Sequence, residues 1–188
     1  AFTDPETADT HTATAQAEGN NYIGTFALDD PQANNSHVTE LNGSGTVAWH
    51  YNLSGLDLDH IPLNTVVTQS YDVAIADNHA ASATQVVSVS IGGAGGDNFV
   101  FNFNDHRGAD TILNFNPATD TIELDGFSGV GTHNQLLAAL GSNGADSTHG
   151  DATINLGNHD SITVVGVTQD YLQQHLDALV HLNAGATV

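Results

Sequence analysis

Residues Gly92-Gly93-Ala94-Gly95-Gly96-Asp97-Asn98-Phe99-Val100 decide how the rest of the chain is read. They satisfy every specified position of the nine-residue pattern G-G-x-G-x-D-x-U-x, with Phe99 as the large apolar residue. The physics of such a stretch is specific. Glycines allow left-handed turns that aim backbone carbonyl oxygens inward, and the aspartate adds a hard anionic oxygen. The large apolar side chain then turns into the interior of a parallel β-roll. Calcium suits such a set of oxygens, and the candidate ligands are Asp97 and the carbonyls of Gly93 and Gly95. The competing reading makes Gly92–Gly96 a flexible hinge between two modules and Asp97 a turn cap.

Two looser echoes follow, Gly108-Ala109-Asp110-Thr111-Ile112 and Asp120-Thr121-Ile122, and they add Asp110 and Asp120 to the candidate ligands. Separations of 13 and 10 residues between these aspartates break a nine-residue ladder. The pattern therefore predicts one or two ions rather than a row of them.

Composition agrees with a cation-binding, non-catalytic chain. The 188 residues allow one domain of ordinary size or two of roughly 90 residues each. Twenty-two acidic residues face a single basic one, Arg107, for a formal net charge of −21. One basic side chain cannot neutralise a phosphate backbone, which excludes nucleic acid as a partner and disfavours anionic membranes and phosphate chemistry. No apolar run reaches transmembrane length, so membrane insertion is not expected. The absence of cysteine removes disulfides, thiol catalysis and thiolate metal sites. The chain starts without Met or a signal peptide and reads as a piece of a longer protein. Self-repulsion from this charge is most readily offset by bound cations.

Upstream of the glycines, residues 22–28, 45–53, 66–76 and 82–91 are rich in Val, Thr, Tyr and Ile, with turn residues between them. Val87, Val89 and Ile91 alternate with Ser88 and Ser90 at the period of a strand. This half predicts an antiparallel β-sandwich with Trp49 anchoring its core. Downstream come short β triplets and a helix that Thr132 caps, with Gln135 three residues on, ended by Gly141. A polar loop at 142–151 leads to two strands, 152–156 and 161–165, around the turn 157–160. A last helix is expected over Gln169–Leu182, capped by Thr168.

Two family resemblances cover these halves. Gly95–Phe101, Asp110–Phe115 and Asp120–Leu124, followed by residues 153–158 and 161–167, resemble the end of an RTX repeat region, where the last calcium turn passes into the C-terminal domain of a type I secretion substrate. That similarity spans roughly residues 92–180. Phe2-Thr3-Asp4, Asp9–Thr12, Tyr22–Phe26, Gly45–Tyr51, Thr68–Val73 and Gln85–Ile91 resemble a VCBS repeat, a bacterial cadherin-like sandwich. The fold this implies is mainly β: an Ig/cadherin-like antiparallel sandwich over 1–91, then an RTX-like β unit (a partial β-roll) with two short helices over 92–188. The resemblance further implies calcium as cofactor and secretion from a Gram-negative bacterium through the type I machinery. The uncleaved export signal would lie in the last stretch, 181–188. It implies a place at the C-terminal end of a large adhesin-like surface protein, with cell-surface or glycan ligands as partners. Such a chain is expected to stay unfolded at low calcium and to fold on binding it outside the cell.

Catalytic readings are weaker. Asp57-Leu58-Asp59 would put two carboxylates on one strand face, as acid–base chemistry needs, but a turn is more economical. There is no G-x-S-x-G or H-E-x-x-H, and no glycine loop with a basic residue after it. The eleven histidines show no metal-binding spacing and are expected to be solvated or satisfied by neighbours. The alternative function is a carbohydrate-binding accessory module of a secreted enzyme.

Overall fold

The computed structural model describes residues 1–31, 33–103, 108–140, 150–157 and 160–183, with the side chain of Leu56 left aside. The expected loop at 142–149, Gly141, the tip of the turn at 158–159 and the last five residues of the expected export signal lie outside them. The architecture is mainly β, with 46% of residues in strands and 12% in helices, and none of its sheets closes.

Two compact units emerge, residues 1–57 with 70–86, and residues 58–69 with 87–188. The first contains β1 (Phe2–Thr3), β2 (His11–Ala17), β3 (Thr25–Leu28), β4 (Thr39–Leu41), β5 (Ser44–Thr46) and β6 (Trp49–Asn52). A short helix, α1 (Gly55–Leu58), and the long strands β7 (Val66–Asp77) and β8 (Ser82–Gly92) contribute residues to both units. All pairing within the first unit is antiparallel: β1-β5-β4, β3-β6, and β2 against the second half of β7. The predicted strand 45–53 is split in two, and β1, β2 and β4 come from stretches whose short side chains gave little β signal. The core here is aromatic. Phe26 stacks on Tyr71 at 4.3 Å, and Tyr22 and Tyr51 meet the same ring edge-on. Trp49 stacks on Phe26 at 5.1 Å but is only half-buried, so Tyr71 rather than Trp49 is the centre.

The second unit adds β9 (Asn98–Asn102), β10 (Ala109–Leu113), β11 (Thr121–Asp125), α2 (His133–Ala139), β12 (Ala152–Gly157), β13 (Asp160–Val164), α3 (Gln169–Gln174), α4 (Leu176–Leu179) and β14 (Val180–Asn183). Its strands alternate along the chain between two parallel sets. The set β8, β10, β13 carries β12 antiparallel on its outside, and β9, β11, β14 form the other. The chain therefore winds in three turns. Equivalent residues stack in register: Phe99 on Ile122 on Val180, and Phe101 on Leu124 on Leu182. Phe99, Ile112, Ile122, Ile154 and Ile162 are all fully buried in the single large apolar core of this unit.

Two local expectations change and one holds. Residues Val87–Gly92 are buried on both faces, so Ser88 and Ser90 do not meet solvent, and the Ser90 hydroxyl bonds that of Thr68 at 2.9 Å. The predicted helix to Leu182 breaks at His175 and ends at Leu179. Val180 and Leu182, alternating at strand period, pair with Ile122 and Leu124 instead, because the edge of β11 supplies backbone partners that an isolated helix end lacks. The α2 cap is as expected, with Thr132 Oγ1 accepting the Gln135 N–H.

Replacing Phe99 by Ala should cost about 3–5 kcal/mol in urea unfolding followed by far-ultraviolet circular dichroism. Val100→Ala, on the exposed face of the same strand, should stay within about 0.5 kcal/mol of wild type.

Candidate functional site

The glycine segment lies wholly inside the second unit and is pinned at each residue. The Asn64 N–H donates to Ala94 O at 2.8 Å, and Asn64 Oδ1 accepts the Gly96 N–H at 3.0 Å. Asn114 Nδ2 donates to the carbonyls of Gly92 and Gly93, and Thr119 Oγ1 to that of Gly95. Only glycine serves at position 95, where φ is +109° and a Cβ would lie 2.0 Å from Asn64 Oδ1. A segment so bonded is a built loop, not a swivel.

Asp97 closes this loop. Its side chain is 2% exposed, and neither carboxylate oxygen has a hydrogen-bond partner. The missing side chain at Gly92 leaves room for it, since a Cβ there would stand 3.0 Å from Asp97 Oδ2. Burial pushes the Asp97 carboxyl above the ordinary range and the charge of Asp120 pushes it further, while the Gly93 N–H is bonded to Thr65 O at 3.0 Å. Asp120 occupies the same register one turn later, 23 residues on, but its chemistry is different. Its Oδ1 accepts the Asp97 N–H at 2.9 Å and its Oδ2 the Asn116 N–H at 2.8 Å. Asp120 is thus a satisfied clamp between turns, and Asp97 is the carboxylate with open oxygens.

Asp110 stands apart from both. It lies within β10, in the other parallel set, opposite Ser88 on one side and Ile162 on the other. Gly108, immediately before β10, is the residue in register with the start of β13, and its N–H donates to Asp160 Oδ1 at 2.7 Å. Asp160 is therefore the true counterpart of Asp120, and the echo at Asp110 is displaced by two residues into a slot that β13 fills with isoleucine. The pattern Asp160-Ser161-Ile162-Thr163-Val164 matches Asp120-Thr121-Ile122-Glu123-Leu124 and was the available signal for it.

The structure brings Asp97 and Asp120 together and places Asp110 elsewhere. A calcium ion needs six to eight oxygens. The chain offers Asp97 as the anionic ligand, while the carbonyls of Gly92, Gly93 and Gly95 each keep a lone pair beyond the bond they accept.

The first unit holds a second acidic grouping that the sequence did not disclose. Ligand atoms of Asp4, Glu6, Asp9 and Asp77 lie within 4.8 Å of one another, the one such set of three or more among the described residues. Beside it His11, 5% exposed, places Nδ1 2.7 Å from Glu40 Oε2 and Nε2 3.0 Å from Asp4 Oδ2. Both ring nitrogens face carboxylates, so the geometry calls for the doubly protonated ring. Burial works against that charge, but the bonds to Glu40 and Asp4 outweigh it and raise the His11 pKa. His50, His79 and His133 likewise pair with Asp29, Asp9 and Asp177. Asp57, for which a turn was the more economical reading than a strand face beside Asp59, sits in the short helix α1 and accepts from the N–H and hydroxyl of Ser54.

Comparison with family models, with curated proteins and with solved structures returned no match. No helix among the described residues is long and apolar enough to cross a membrane.

A raised histidine pKa stabilises the fold below the unfolded value of 6.5, and that stability is lost as pH rises through the folded value. Trp49, the sole tryptophan, lies in the first unit, so its fluorescence should report this loss. Between pH 6 and 9 the wild-type midpoint should fall by on the order of 5 °C. His11→Gln should start lower and fall less across that range, with the remaining slope coming from His79, whose pKa the hydrogen bond to Asp9 also raises.

Proposed function

We propose that this chain is a non-catalytic structural region of a larger secreted, adhesin-like protein, in which one calcium ion at Asp97 staples the loop that begins the wound second unit. The observation that carries the reading is the Asp97 carboxylate, buried with both oxygens lacking donors in a loop of pattern G-G-x-G-x-D. A buried carboxylate in this condition is costly unless it takes a proton or a cation. A cation is the reading that also accounts for a chain carrying −21 charges. The RTX-like assignment of the second unit is supported by its parallel winding, in which the apolar residue two places after Asp97 faces the interior. The antiparallel pairing of the first unit supports the cadherin-like assignment. Type I export, the cell-surface location and the adhesin context rest on sequence resemblance.

Calorimetry in EDTA and in millimolar calcium, with magnesium as control, tests this reading. Calcium should raise the transition of the second unit by the equivalent of about 2–3 kcal/mol at a hundredfold excess over the dissociation constant. Asp97→Asn should abolish the calcium response and, in EDTA, unfold no lower than wild type, because it removes an unpaired buried charge. A calcium response that survives Asp97→Asn would refute the site, and no response in wild type would refute the stapling role.

A further inference from the structure

The first unit carries a cleft of about 320 Å³, lined by Phe2, Thr3, Ile75 and residues 81–83 and rimmed by Asp4, Glu6 and Asp77. Strands with unused edges border it on two sides. β1 pairs only with β5 among the described residues. In β8, pairing to β10 begins at Val87, so residues Ser82–Val86 have β7 on one side and, among the described residues, no strand on the other. Ser82 to Gln85 are exposed. An unpaired strand edge presents a row of backbone donors and acceptors that another extended chain can use. Phe2 and Ile75 supply an apolar floor, and the volume is at the lower end of the range for ligand pockets.

We propose that this cleft docks an extended basic peptide segment of a partner protein, which adds as a strand along residues 82–86 of β8 and sets its cationic side chains against Asp4, Glu6 and Asp77. The carboxylates by themselves fix only the sign of the occupant. The open edge fixes its extended form, and the floor of Phe2 and Ile75 asks for apolar side chains alternating with the basic ones. A second copy of this chain is a poor occupant, since it would bring another −21 charges and a single arginine.

The test uses the full chain, isotope-labelled, in EDTA. The probe is a hexapeptide alternating lysine and valine. Its controls are the same peptide N-methylated at alternate residues, which keeps the charge but cannot pair, and a hexapeptide alternating glutamate and valine. The expected result is a set of amide shift changes confined to residues 2–6 and 75–86. Affinity should exceed that of both controls by at least about tenfold, and Glu6→Gln with Asp77→Asn should weaken it by a similar factor. The proposal is overturned if the N-methylated peptide binds as tightly, which would mean charge attraction alone. It also falls if the shift changes lie elsewhere, or if the lysine–valine peptide does not bind.

Discussion

With one arginine against twenty-two carboxylates, this chain cannot satisfy its buried acids with basic side chains. The remaining sources of positive potential are backbone N–H groups, protonated imidazoles and bound cations. Much of the molecule is organised around that shortage. In the second unit Asp120 and Asp160 each take an N–H from the residue in register on the preceding turn, which clamps one turn to the next. In the first unit the same need is met by histidine, with His11 held between two carboxylates. Asp97 is the buried carboxylate whose two oxygens neither arrangement serves.

This division explains why one wound structure tolerates such different residues at equivalent places. A clamping aspartate needs a register partner with a free N–H, and Gly108 or Asp97 supplies it equally well because only backbone is used. After each of the three aspartates the residue two places later enters the core, and Phe99, Ile122 and Ile162 are all fully buried, whereas Gly108 is followed at that distance by Asp110. Burying such side chains contributes about 1.5–3 kcal/mol each, whereas a single clamp contributes about 1.5–3 kcal/mol only if the acid is already desolvated. Apolar stacking therefore holds the turns together, and the aspartates hold their register.

The longer strands, the glycine loop and the α2 cap were legible in the sequence, and Asp97 and Asp120 were both among the candidate ligands. Those features depend on local spacing or on motifs whose geometry is local. The displacement of Asp110 was not legible, because D-x-I at 110–112 has the same spelling as D-x-I at 120–122, and only pairing with β13 reveals the two-residue offset. Likewise His11 meets Glu40 across 29 residues and His79 meets Asp9 across 70, distances at which no spacing rule operates. The strand at 180–183 was hidden because Leu176, Leu179 and Val180 fit one helical face, and the competing edge of β11 lies far away in sequence.

The two units consequently answer to different chemistry. The second has a continuous aliphatic and aromatic core, and the open oxygens of Asp97 sit in the loop that begins its winding. The first has a core of a few stacked rings around Tyr71, and its short strands are tied by charged contacts at Asp4, His11 and Glu40. Charged contacts of this kind weaken with salt and with loss of a proton, whereas buried apolar area does not. Proton concentration therefore acts on the first unit through His11 and His79. A chain with almost no basic residues meets its acids with histidine and with backbone amides, and His11 and the Asp120 clamp show the two devices side by side.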